Sequence, residues 1–333
     1  MKLGVHDLLI REVSQSNEEV FENTKKLVEE LDKLFYDRYW FAEHHGFENL
    51  LSVAPEILAS FFLSRTKNLN IGTGGTMVMH YSPLKIAETF KTMEYLAPGR
   101  VDLGLGRAPG AGGYEIRALN KNFSSKSHDL FDEIKTLLDY LQDKKPDDFT
   151  YSMAKAMPKS GENLPRPWML GSTGQAIKKA SEFGIAYSHA KFFSVETPAK
   201  LFKEYKNNFK QSAFADKAYI SMSYQILISD DKEELEYLGK SFDYFHIQQY
   251  RGSSKGIIDP EELKDYKFTS QEESILKKSY DARFILKGSK KEIANILEDE
   301  IKTYGIDEIL GFTPIYGLKN RIKTYKALKE IFE

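Results

Sequence analysis

Residues 68–109 read NLNIGTGGTMVMHYSPLKIAETFKTMEYLAPGRVDLGLGRAP. Residues 68–71 are short and partly apolar and run into Gly72, Gly74 and Gly75, the pattern of a strand entering a loop. Ser82-Pro83 marks a helix start, with Ser as N-cap and Pro at the first helical position. Ile86, Phe90, Met93, Leu96 and Ala97 recur at helical spacing, and Pro98-Gly99 ends the helix. Residues 101–105 form the next strand, and a second glycine-rich turn ends in Arg107. The unit is β-loop-α-β, with both loops at the C-terminal ends of strands. In α/β folds that is the end where ligands gather.

The same alternation continues on both sides. Strand patterns at 2–5, 38–42, 166–170, 184–187, 219–228 and 305–310 bring the number to eight, with helical patterns between them. Ser16 with Glu19 and Ser289 with Glu292 are capping boxes that open two of the helices. Eight such repeats predict an α/β fold, a (β/α)8 TIM barrel, as one domain over 1–333. The competing reading is a doubly wound sheet. Its dinucleotide fingerprint is missing: Gly104, Gly106 and Gly110 are spaced GxGxxxG, and Pro109 interrupts the expected helix start. One segment, about 230–287, fits no barrel unit. It is charged and also carries Phe242, Tyr244, Phe245 and Tyr250. It reads either as a lid over the C-terminal face or as surface decoration or an oligomer contact.

The formal net charge of the 333-residue chain is -2, so no basic field invites nucleic acid. Cysteine is absent, which excludes disulfides, thiolate metal sites and a cysteine nucleophile. The first residues lack a signal-peptide core, and no apolar run approaches the ~18 residues of a membrane helix. The expectation is a soluble cytoplasmic protein.

Three groups carry chemistry. Glu43-His44-His45 follows a strand at the expected active face. Adjacent side chains on an extended segment point opposite ways, so at most one histidine faces a site in line with Glu43. One is expected as a proton-handling group, the other as a structural hydrogen-bonding group. Neither HxH nor HExxH occurs, so no metal site is expected. The glycines at 72, 74 and 75 permit close approach of a flat ligand to bare backbone, or a tight turn. Arg107 can clamp a phosphate or pair with an acidic neighbour. Ser172 and Thr173 precede a helix, where free N–H groups and hydroxyls can seat a phosphate or cap the helix. Arg107 and that helix start, on one face, point to a phosphate-bearing cofactor without identifying it.

Several stretches resemble the bacterial luciferase-like monooxygenase family of flavin-dependent barrel enzymes. They are RYWFAEHH from Arg38, IGTGG from Ile71, HYSPL from His80, PGRVDLGLGRAP from Pro98, WMLGS from Trp168 and HAKFF from His189. The resemblance implies FMN, supplied reduced by a separate NAD(P)H:flavin reductase, with O₂ as co-substrate. It implies oxidation of a small organic substrate through a flavin C4a-(hydro)peroxide. A related branch uses the deazaflavin F420 for hydride transfer, and a non-catalytic flavin-binding protein is the further alternative. Gly74-Gly75 matches the position where the family packs a non-proline cis peptide beneath the flavin ring. Arg107, Gly171, Ser172 and Gln175 match phosphate-binding positions. Glu43 matches a flavin-site acid and His44 the active-site histidine. Trp40, Met77, Tyr81, Trp168, Phe192, Phe193 and Phe312, at or near strand ends, are expected to line an apolar substrate pocket. Gly106 before Arg107 and Gly171 depart from luciferase itself, so light emission is not implied. Family members commonly pair through helices beside the second and third strands. The apolar run at 52–62 accordingly points to a homodimer.

Overall fold

The computed structural model describes residues 1–120, 130–193, 198–253 and 255–333. Among these, nine parallel strands occur: β1 (Lys2–Asp7), β2 (Arg38–Phe41), β3 (Asn70–Met77), β4 (Val101–Gly106), β5 (Arg166–Gly171), β6 (Ala186–Ala190), β7 (Ile220–Ile228), β8 (Ile285–Gly288) and β9 (Glu308–Phe312). The helices are α1 (Asn17–Lys33), α2 (Pro55–Leu63), α3 (Pro83–Leu96), α4 (Gly113–Leu119), α5 (Leu130–Leu141), α6 (Gly174–Phe183), α7 (Ala199–Asn207), α8 (Lys232–Tyr250), α9 (Ser270–Asp281), α10 (Lys290–Tyr304) and α11 (Leu318–Glu330).

Strands β1 to β7 pair in chain order, β7 pairs with β9, and β9 returns to β1 with Leu3 opposite Ile309. The ring is therefore a closed eight-stranded parallel barrel surrounded by helices, the TIM barrel the sequence predicts. The remaining strand, β8, lies outside it. The first part of β7 pairs with β9, and its last residues, Gln225 to Ile228, pair with β8. The eighth barrel strand is Glu308–Phe312 rather than 305–310, because Gly305 adopts the left-handed conformation (φ 65°) that caps α10. Gly184 (φ 66°) does the same for α6, so β6 begins at Ala186 rather than 184. Ser82 stands at the N-cap of α3 and Pro83 opens it, but the serine side chain makes no capping bond. Both expected capping boxes are formed, and a third, Thr269 with Glu272, opens α9 inside the inserted segment. The sequence also predicts a helix over 127–141, with Leu130, Ile134, Leu137, Leu138 and Leu141 at helical spacing, and a helix start at Thr197-Pro198; α5 takes up 130–141, and residues 127–129 and 197 lie outside the described residues.

Alternation along β1 sorts the layers. Leu3 and Val5 join the apolar layer between strands and helices. Gly4 faces the barrel interior, where an added Cβ would meet Leu310, Arg38 and Glu308. That interior is polar at its centre. Arg38, fully buried, bonds Glu308 through Nε (2.8 Å) and Asp102 through Nη1. Burial works against the guanidinium charge, but Asp102 and Glu308 outweigh it and hold its pKa above the usual arginine value. Trp40 and Trp168 donate their indole N–H groups to the two oxygens of Asp102 at 3.1 and 3.0 Å. Arg38 lies over the Trp168 ring at 4.4 Å.

The inserted segment folds as α8, a short turn at Pro260–Leu263, α9 and β8. It covers part of the barrel mouth. Phe245 of α8 and Ile257 pack with Leu8, Ile10, Ala42, Phe192 and Phe312, which come from loops and strand ends at the C-terminal face.

Candidate active site

A cavity of about 240 Å³ opens at the C-terminal ends of the strands. Its walls come from all around the ring: His6 from β1, Gly74 and Gly75 from β3, Leu170 from β5, Ser188 from β6 and Ser223 from β7. Glu43, His44, Met77, Arg107, Gly171, Ser172, Phe192 and Phe193, all expected from the sequence, also line it.

Five expected residues do not. Trp40 and Trp168 are fully buried, form an edge-to-face pair 5.0 Å apart, and lie deeper in the barrel with Leu310 and Ala186. Their expected place in the pocket is corrected: both indoles are committed to Asp102. They support the cavity from beneath, since a Cβ on Gly74 would come within 2.9 Å of Trp40. Tyr81 stands behind the wall and donates its hydroxyl to Glu43 at 2.8 Å. Gln175 is exposed in the first turn of α6 and does not reach the cavity wall. Phe312 too packs beside the mouth rather than in the lining.

The Glu-His-His run divides its tasks. Glu43 is buried, and its carboxylate is fully engaged. Oε1 accepts from Tyr81 and pairs with His45 Nε2 at 2.9 Å, and Oε2 accepts the Met77 N–H at 2.8 Å. His45 thus turns to Glu43, while His44 turns to the cavity. The backbone holds both: His44 N donates to Ser52 O and His45 N to Gly110 O. Burial, reinforced by the nearby His6 and His45, lowers the His44 pKa from 6.5 to about 4, so its imidazole is neutral at pH 7. A neutral imidazole holds one N–H and one lone pair, and can both donate a hydrogen bond and accept a proton.

Gly74 and Gly75 present bare backbone to the cavity. The peptide between them is cis, and the register of β3 on β4 shifts between Thr73 and Thr76. There is no room for side chains: a Cβ on Gly75 would lie 2.5 Å from Leu170 Cδ1 and 2.8 Å from the Gly104 carbonyl. Across the cavity, Arg107 packs its guanidinium on the Phe131 ring at 4.2 Å. Thr173 is the N-cap of the ten-residue α6, and Ser172 and Gly171 precede it. A guanidinium, two hydroxyls and a helix N-terminus around one concavity suit a phosphate dianion. The flat glycine wall suits a planar ring. The residues present therefore fit a phosphate-bearing flavin-type cofactor.

Sequence reasoning passed over His6, Leu8, Leu170, Ser188, Ala190 and Ser223. All six line the cavity from β1, β5, β6, β7 or the loop after β1; strand alternation carries that signal but shares it with many residues that are only packed. Among the described residues, no group of three or more His, Asp or Glu is placed to hold a metal ion. No helix among them is long and apolar enough to cross a membrane.

A closed parallel barrel with a cavity at its C-terminal rim, lined by Arg107, a helix start and a neutral histidine, has the form of a barrel enzyme. The chain belongs to the luciferase-like monooxygenase family, whose pattern matches residues 1–308, and it is an oxidoreductase of that kind. It is 30% identical over 315 residues to the uncharacterized protein YvbT of Bacillus subtilis (strain 168), covering 95% of this chain and 92% of that one. It is 28% identical over 318 residues to the luciferase-like monooxygenase of Escherichia coli (strain K12), covering 96% and 93%. In fold it is similar to apo-MsnO8, with a TM-score of 0.87, 24% identity, and 99% and 98% of the chains covered. The same barrel, at 15–18% identity, occurs in the oxygenating constituent of Pseudomonas putida 3,6-diketocamphane monooxygenase in complex with FMN and in an F420-dependent secondary alcohol dehydrogenase (TM-scores 0.68 and 0.64).

Proposed function

We propose that the protein is an FMN-dependent monooxygenase that uses reduced flavin and O₂ to oxidise a small organic substrate. The observation that carries this reading is the single cavity that joins Gly74–Gly75, Arg107, Ser172 and His44. Arg107, Ser172, Thr173 and the α6 N-terminus would hold the phosphate, with Gln175 beside them in the first helical turn. Gly74 and Gly75 would support the ring. Reduced FMN, delivered by a separate NAD(P)H:flavin reductase in the cytoplasm, would supply the electrons that activate O₂. The chain's own work is to hold a proton acceptor and to keep water out. His44, neutral at pH 7, accepts a proton inside the cavity. Glu43, with its oxygens occupied, orients the rim. Leu8, Ala42, Met77, Phe192 and Phe193 make an apolar wall, and the inserted segment with Phe245 and Ile257 serves as a lid.

Purified protein with FMN, a flavin reductase, NADH and a panel of aldehydes, ketones, amines and sulfur compounds is expected to place ¹⁸O from O₂ into product. No labelled product across the panel would overturn the oxygenase reading. Tighter binding of F420 than of FMN, followed by fluorescence, would move the protein to hydride transfer.

The exposed stripe on α2 supports a homodimer. Ile57 and Phe61, one turn apart on α2, are 66% and 41% exposed, and Val53 just before the helix is 48% exposed, while Ala59 and Phe62 pack inward. A second copy of the chain would cover that stripe; sedimentation as a monomer would refute it.

A further inference from the structure

His6 lies at an inward position near the end of β1, on the cavity wall. Its Nε2 is hydrogen-bonded to the carbonyl oxygen of Gly74, 68 residues away. A carbonyl oxygen only accepts, so Nε2 carries the proton whether the ring is neutral or charged. The other ring nitrogen, Nδ1, is buried and has no hydrogen-bond partner among the described residues. The remaining contact of the ring is apolar, an edge-to-face packing on Phe192 with centroids 5.6 Å apart. A leucine or phenylalanine would keep an apolar contact with Phe192 and lose the bond to Gly74. What histidine adds is one N–H, and that N–H is spent on the Gly74 carbonyl.

The carbonyl needs such a partner. Gly74 lies within the stretch where β3 slips out of register with β4, so the regular ladder is interrupted there. Trp40 buttresses the same residue from beneath. Gly74 is thereby braced by an indole on one side and held by an imidazole on the other.

We propose that His6 is a positioning residue for the flavin seat: by donating to the Gly74 carbonyl it fixes the orientation of the backbone on which the cofactor ring rests. This role depends on the flavin reading above. His6 does not take part in the oxidation. It acts through Gly74 by setting how closely the ring can approach and which backbone dipole the ring meets.

The test compares wild type with His6→Leu and His6→Phe, which lack the donor, and His6→Gln, which restores an N–H. The readouts are FMN affinity by fluorescence quenching and the visible absorption spectrum of the bound oxidised flavin. Both donor-less variants are expected to bind FMN about tenfold more weakly, the size of one hydrogen bond, with a shifted absorption band, and His6→Gln to recover most of both. Wild-type affinity and spectrum in His6→Leu and His6→Phe would overturn the proposal alone. Unfolding of both donor-less variants would assign His6 to barrel stability and overturn it as well. Failure of the wild type to bind FMN would overturn the flavin reading and this role with it.

Discussion

Glu43 Oε2 accepts the backbone N–H of Met77 across 2.8 Å, tying the chain after β2 to the end of β3. The same carboxylate takes the Tyr81 hydroxyl and His45 on its other oxygen, so one buried side chain ties three partners together beside the cavity. Glu43→Leu keeps most of the volume but removes both acceptors, leaving the Met77 N–H and the Tyr81 hydroxyl without this partner. The expected loss is about 1–3 kcal/mol, the cost of a buried unsatisfied group. Urea denaturation followed by circular dichroism measures it; an unchanged midpoint would show that the rim tolerates the loss.

Asp102 carries the two tryptophans of the chain and one side of Arg38. Asp102→Ala removes three acceptor contacts and leaves Arg38 with Glu308 alone. Breaking a buried charge pair this way costs about 3–5 kcal/mol. Because both indole N–H groups lose their partner together, the tryptophan emission of the folded variant is expected to change as well. A stability loss with no change in emission would contradict the paired arrangement of Trp40 and Trp168.

Four histidines have depressed pKa values: desolvation takes His6, His44 and His246 from 6.5 to about 4, and desolvation with the nearby Lys191 takes His189 to about 3. Unfolded histidine binds its proton at about 6.5, so between that value and about 4 the unfolded chain holds more protons than the folded one. Their contribution to stability is present above pH 6.5 and falls as the pH drops toward 4. Calorimetric unfolding at pH 5 in buffers of different ionisation enthalpy should show net proton uptake. His246→Asn, away from the cavity, should reduce that uptake by close to one proton.

His44 is neutral across the physiological range, so kcat/KM should show no titration near 6.5 that depends on it. Its influence is expected only as an acid limb approaching pH 4, which His44→Gln should abolish while slowing turnover by about 10²–10⁴-fold, the usual size of a general acid–base contribution. Turnover in His44→Gln equal to wild type would remove His44 from the proton path.

Much of this protein was legible in local sequence. The capping boxes at Ser16 and Ser289 and the helix start at Pro83 depend on residues within a single turn, and the eight strand patterns require only their own alternation. Parallel strands with helical crossovers then leave few closed architectures. The glycine pair at 74–75 and the EHH run were visible because their chemistry is unusual where they stand.

What the tertiary structure alone decided was depth and partnership. Trp40 and Phe192 are both aromatic residues near strand ends, yet the first lies beneath the cavity floor and the second on its wall. Strand stagger around the ring sets that height, and no single strand encodes it. Glu43 acquires its partners from 34 and 38 residues away, and His6 acquires Gly74 from 68. Such pairings exist only once the barrel closes, because closure brings every strand's C-terminal end to the same rim.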